Sequence, residues 1–167
     1  MVIKRYVVVV IATLMVALGI VDGARAAQHD DRDALKGIRT GKAIFDVNTG
    51  EPDKLVLYLD VIKETIQGLR KQKVRPDVII AFRGVSVRLI TTSQEDAEQG
   101  KREVFEKIRK LIAELKALGV KLEACSIATR LFEVENNTVL PEIKVVGNTF
   151  ISLIGYQSMG YAVIPIM

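Results

Sequence analysis

Between Asp77 and Phe82 the chain reads Asp-Val-Ile-Ile-Ala-Phe, apolar at every position after the first. A strand with one face in water alternates apolar and polar residues, so an unbroken run of this length fits a strand covered on both faces. Such a strand needs helices above and below it, and the flanking sequence supplies them. Lys42–Val47 is a first short apolar run, Asn48–Asp53 is turn-like, and from there to about Gln72 Leu55, Leu59, Ile62, Ile66 and Leu69 recur at helical spacing, with Val56, Leu57 and Val61 widening the stripe. After the polar, acidic stretch Thr91–Gly100, a helix from about Lys101 to Leu118 places Val104, Ile108, Leu111, Ile112 and Leu115 on one face and stops at Gly119. Val120–Ala124 reads as a third strand, Ser126–Glu133 as a short helix, Asn136-Asn137 as a turn and Ile143–Val146 as a short strand. Gly147-Asn148 opens a helix to Ser158, and Tyr161–Ile166 is a last strand whose Pro165 suits a sheet edge. Short apolar runs alternating with longer amphipathic ones predict successive βα units. The expected fold is α/β, a three-layer α/β/α sandwich around a mostly parallel five-stranded sheet. Right-handed crossovers then bring the loops after Val47, Phe82 and Ala124 to one edge of the sheet, where open α/β sheets hold their ligands.

The chain ahead of this domain has a different character. A basic start (Lys4, Arg5), an apolar run from Tyr6 to Val21 and small residues ending in Ala24-Arg25-Ala26 form the pattern of an export signal. Residues 1–26 are therefore expected to be a signal peptide, 27–41 a flexible polar leader, and 42–167 a single α/β domain. The apolar run is short for a spanning helix, which needs about 20 residues, so an uncleaved anchor is the lesser alternative. Export implies a periplasmic or secreted protein. Cleavage removes three of the 24 basic and one of the 20 acidic residues, leaving a balance too small to argue for nucleic acid or a membrane surface as partner.

Cys125, the only cysteine, ends the third strand at that functional edge. A lone thiol in an oxidising compartment is either sealed in the core or reactive. The first turn of a helix offers unpaired N–H groups and the positive end of the helix dipole, and both favour a thiolate. Arg83 and Gly84 follow the second strand, Asn48 and Thr49 follow the first, and Ser126 follows the cysteine itself, so these five are the candidate binding residues around a candidate catalytic Cys125. The plain alternative is that Cys125 is a small buried hydrophobe among Leu122, Ala124, Ile127 and Ala128. The only histidine, His29, lies in the leader, which removes a Cys-His pair of the protease kind. No tight carboxylate cluster flanks either residue, so no metal is expected, and no glycine-rich phosphate motif is present, so no nucleotide cofactor is expected. Thr49-Gly50 reads better as a capped turn than as a phosphate loop. The basic residues of both long helices alternate with acidic ones or sit at a helix end, as on a solvated face.

Several of these segments, in this order, resemble the DsrE/DsrF-like family. They are the second strand running into Phe82-Arg83-Gly84-Val85-Ser86-Val87-Arg88-Leu89, a helix ending in Gly119-Val120-Lys121, a strand ending in Cys125, and the closing Gln157-Ser158-Met159-Gly160-Tyr161-Ala162. The resemblance covers about Lys42 to Ile166. It implies a compact α/β subunit in a homo- or hetero-oligomer, commonly a trimer or hexamer, and a cysteine that carries sulfur as a persulfide in the sulfur-relay and sulfur-oxidation members, with a sulfur-donor or acceptor protein as partner. Two departures bear on the site. Many relatives have Asn-Thr where this chain has Ile127-Ala128, and often a histidine where it has Arg83. The rival readings are a non-catalytic oligomeric scaffold with a buried cysteine and a flavodoxin-like small-ligand domain.

Overall fold

Strand β1 (Thr40–Val47) occupies the interior of a five-stranded sheet, paired in parallel with β2 (Arg75–Phe82) on one side and β5 (Ala162–Ile166) on the other. Strand β3 (Lys121–Cys125) pairs with β2, and β4 (Lys144–Val146) with β3, giving the order β4-β3-β2-β1-β5. All four strand pairings within this sheet are parallel. These features belong to a computed structural model that describes residues 30–92 and 99–167. Asp30–Lys36 belongs to a unit separate from Gly37–Met167, and within it the Arg32 guanidinium meets the Asp30 carboxylate. The export signal expected in residues 1–26 lies outside the described residues.

Helices α1 (Pro52–Lys71) and α2 (Gln99–Ala117) cover one face of the sheet. Proline at its first position starts α1, where a missing N–H costs nothing. Leu55, Leu59, Ile62 and Ile66 are fully buried along it against Val47, Val78, Ile80 and Phe82. Each such side chain contributes about 1.5–3 kcal/mol relative to exposure. From α2, Ile108, Ile112 and Leu115 complete this core, as the helical spacing of the sequence predicts. The opposite face is covered by α4 (Thr149–Ser158), whose Leu153 and Tyr156 pack with Ile44, Ile79, Ala81 and Tyr161. The result is the three-layer sandwich expected, with strand ends within two residues of their predicted positions. Pro165 does lie on an edge strand, where its missing N–H leaves no ladder bond unmade.

Strand alternation fixes what faces α4. Ile44 and Asp46 on β1, Ile79 and Ala81 on β2, and Glu123 and Cys125 on β3 point to that side, so it carries polar groups the other face lacks. One element was not foreseen. Gly84–Leu89 forms a 3₁₀ helix directly after β2, folded over the sheet edge with Ser86 and Val87 buried. Ser86 Oγ bonds the Val47 and Arg83 carbonyls, anchoring this turn between β1 and β2. Short helix α3 (Ser126–Leu131) follows Cys125 without an intervening loop.

Candidate functional site

Cys125 is the N-cap residue of α3, with extended backbone, so its side chain sits at the mouth of the first turn. It is 6% exposed and packs against Val87 and Ala128. It also lines a cavity of about 200 Å³ with Arg83, Gly84, Asn148, Thr149 and Phe150 on one side and Ile127, Ala128, Leu131 and Phe132 on the other. The thiol therefore stands at the wall of an open, largely apolar pocket at the C-terminal edge of the sheet.

A second helix start aims at the same sulfur. Asn148 caps α4, its side-chain oxygen accepting from the Phe150 N–H at 2.9 Å. That cap leaves the Thr149 N–H for the sulfur. Burial pushes the Cys125 thiol up, but the Thr149 and Ala128 backbone N–H groups, the Thr149 hydroxyl and the Ile127 N–H favour its charged form and outweigh burial, so it lies below the ordinary thiol value. The amides of α3 are those the sequence points to; those of α4 are an addition. Thr149 is fully buried; its hydroxyl has no hydrogen-bond partner among the described residues, and it favours the charged form of the sulfur.

Arg83 lies at this edge too, since β2 and β3 are neighbours. Its donors are largely engaged elsewhere. Nε and Nη2 bond the two oxygens of Asp46 at 2.5 and 2.8 Å, a bidentate pair that is mostly buried. In the amide orientation that satisfies both groups, Asn48 donates to the Arg83 carbonyl at 3.2 Å and accepts from Nη1 at 3.3 Å. The guanidinium also stacks 5.3 Å from the centre of the Phe150 ring. The Asp46 bond, above all, holds the Arg83 pKa high, and the charge on Cys125 adds a little. Arg83 thus reaches the thiol through its field, already paired with a carboxylate.

The other candidates divide by role. Gly84 has a left-handed backbone, φ +54°, and a Cβ there would run into the Asn48 amide, so this turn requires glycine on two counts. Asn48 braces that turn beside the pocket without lining it. Thr49 is buried and accepts from the Glu51 N–H at 3.2 Å, a cap for the turn into α1 with no part in the cavity wall. Ser126 donates to the Gly147 carbonyl at 2.9 Å, tying the start of α3 to the loop that begins α4. It faces a different cleft, with Thr129, Arg130 and Asn136, so its contribution is to hold the two helix starts together. Asp46, Asn148, Thr149 and Phe150 are not among the site residues expected from the sequence, which reads Asn148 as a helix start and Phe150 as a surplus apolar position for the core or a subunit interface. A signal existed for two of them: a carboxylate inside the apolar run Ala43-Ile44-Phe45-Asp46-Val47 demands a buried partner, and Asn148 before a helix is a favoured cap.

Deeper on the same face, Glu123 is buried and its Oε1 accepts from the Tyr156 hydroxyl at 2.9 Å, while its Oε2 has no partner among the described residues. Burial and the bond to Glu123 push Tyr156 up to about 12, and burial with a bond to Asp77 does the same for Tyr161. No group of three metal-binding side chains occurs among the described residues.

Fold and site together make this a small parallel α/β sandwich with a cysteine at the end of its third strand and a glycine turn after its second. The chain belongs to the DsrE/DsrF-like family, whose profile matches residues 42–166. It is 27% identical over 125 residues to an uncharacterised protein of Aquifex aeolicus (strain VF5), and spans about half of that relative's length, 74% of this chain against 55% of the other. Two solved structures share the fold. MTH1491 of Methanobacterium thermoautotrophicum, a protein of unknown function, superposes with a TM-score of 0.60 at 17% identity over 75% of this chain and 99% of its own. YchN of E. coli gives 0.55 at 16% identity over 76% and 100%.

Proposed function

We propose that the protein is a sulfur carrier: Cys125 takes up a sulfane sulfur as a persulfide and hands it to an acceptor. The observation that supports this most is the convergence of two helix starts on one thiol at a cavity wall, which favours an anionic sulfur where a small donor can reach it. Family membership supports the same reading, because the sulfur-relay members carry sulfur on the matching cysteine. In the loading step the Cys125 thiolate attacks a sulfane sulfur of a polysulfide. A Cys–S–S bond forms, the donor S–S bond breaks, and the shortened polysulfide leaves with the electron pair. In delivery, an acceptor thiolate attacks the outer sulfur and the Cys125 thiolate departs. Both steps need the thiolate and neither needs a cofactor.

The carrier would work after export, outside the cytoplasm, and as a homo-oligomer. Ile151 and Ile154 on α4 are 68% and 67% exposed, and Leu131 on α3 is 69% exposed, an apolar surface that a second subunit would cover. Leu131 also lines the cavity, so assembly would border the site.

One observation favours the scaffold reading instead: the thiol itself is almost covered. Alkylation of the native, folded protein by iodoacetamide at neutral pH separates the two. A carrier reacts at Cys125 without denaturant, whereas a packing cysteine reacts only once the protein is unfolded.

A further inference from the structure

Thr149 presents an unusual combination. Its side chain is 0% exposed, it lines the cavity that holds Cys125, and its hydroxyl has no hydrogen-bond partner among the described residues. A buried hydroxyl left unpaired costs about 1–3 kcal/mol, so such groups are rare in native proteins and call for an explanation. Threonine at the first position of a helix ordinarily turns its oxygen to a neighbouring backbone group. Here the capping role is already filled by Asn148, which bonds the Phe150 N–H, and Ser126 fixes this loop against the start of α3. The Thr149 hydroxyl is thereby left with its donor capacity unspent in the cavity wall that it shares with Cys125.

We infer that Thr149 is a donor reserved for anionic sulfur: its hydroxyl hydrogen-bonds the Cys125 sulfur in the thiolate and persulfide states and stands idle when the thiol is neutral. This rests on the carrier reading and names the residue that tunes it. A neutral thiol is a weak acceptor and a thiolate a strong one, so a bond made only to the anion stabilises the reactive state selectively. Among the described residues, the charged groups around the sulfur are paired, stacked or exposed, and Arg83 reaches it only through its field. Arg83 is paired with Asp46, Arg88 of the 3₁₀ helix lies over the Phe132 ring, Arg130 and Lys144 are exposed, Glu123 on β3 itself holds Tyr156, and α4 carries no charged side chain.

The test follows the single cysteine of the intact protein through pH by its ultraviolet thiolate absorbance and by its alkylation rate with iodoacetamide. Thr149→Val keeps the shape and removes the donor. Its titration should move to higher pH, and alkylation below the thiol pKa should slow about five- to tenfold, the loss of one charge-assisted hydrogen bond. Thr149→Ser, which keeps the hydroxyl, should restore both. A folded Thr149→Val protein that titrates with the wild type overturns the inference, as does a Thr149→Ser protein that behaves like Thr149→Val, since a packing role would be lost with the methyl and not with the hydroxyl. If the wild-type thiol stays neutral and unreactive until the protein unfolds, the carrier reading falls, and this inference with it; a titrating wild type matched by Thr149→Val sinks the inference alone.

Discussion

At the scale of single residues the site is a thiol whose charge is set by its neighbours. The groups that lower Cys125 come from two separate helix starts, and Arg83 adds only what its pairing with Asp46 leaves free. Removing one member of that pair should move the thiol. Asp46→Asn keeps the shape but releases the guanidinium from its countercharge, so the Cys125 thiol should titrate at lower pH and alkylate faster below its pKa. Arg83→Met leaves the Asp46 carboxylate buried without its partner, so the thiol should titrate higher and the protein should lose about 3–5 kcal/mol of stability. Thiolate absorbance against pH, read beside a denaturant titration, measures both variants. If the two substitutions leave the thiol unmoved, Arg83 and Asp46 serve packing alone. The sequence made Cys125 and Arg83 legible because a lone cysteine and a positive charge after strands are visible as letters. Thr149 was hidden, since a threonine after a capping asparagine reads as ordinary helix punctuation, and its missing hydrogen bond exists only in three dimensions.

At the scale of elements the apolar periods of α1 and α2 and the unbroken β2 run determine the sandwich, and those patterns are strong because each buried face needs a continuous stripe. The 3₁₀ helix Gly84–Leu89 was not legible, because Val85-Ser86-Val87 alternates like a strand, and only the left-handed turn at Gly84 and the Ser86 anchor to β1 redirect it. Strand order was equally beyond local pattern, since nothing in Ala162–Ile166 states that it pairs with β1. The polar content of the α4 face has its own consequence. Tyr156 bridges α4 to β3 through Glu123, and its proton is held up to about 12 by burial and by that bond. A raised pKa means the folded state prefers the protonated tyrosine more than the unfolded chain does. The contribution is present in full below the ordinary value near 10 and is lost as pH rises from there through about 12. Tyr156→Phe should therefore cost about 1–3 kcal/mol near neutral pH by leaving the buried Glu123 carboxylate unpaired, and should flatten the fall in stability above pH ~10. Denaturant midpoints across that range check it; a variant as stable as the wild type at neutral pH would mean the bond contributes nothing.

At the scale of the whole molecule the sheet edge, two helix starts and an uncovered apolar surface lie together. Ile154 on α4 and Leu131 on α3 are the positions where a charge should disturb association most while leaving the buried core intact. Ile154→Glu should convert a symmetric oligomer, seen by light scattering at micromolar concentration, to a smaller species with an unchanged circular dichroism spectrum; a wild type that is already a monomer removes the argument. A carrier of this kind moves sulfur through one residue. Intact-mass measurement of the native protein after exposure to polysulfide and gel filtration tests this most directly. The wild type should gain mass in whole sulfur atoms, lose it again on treatment with a small thiol, and show neither change after Cys125→Ser. A native protein whose mass stays fixed, or a Cys125→Ser protein that gains sulfur as the wild type does, would contradict the assignment of Cys125 as the carrier.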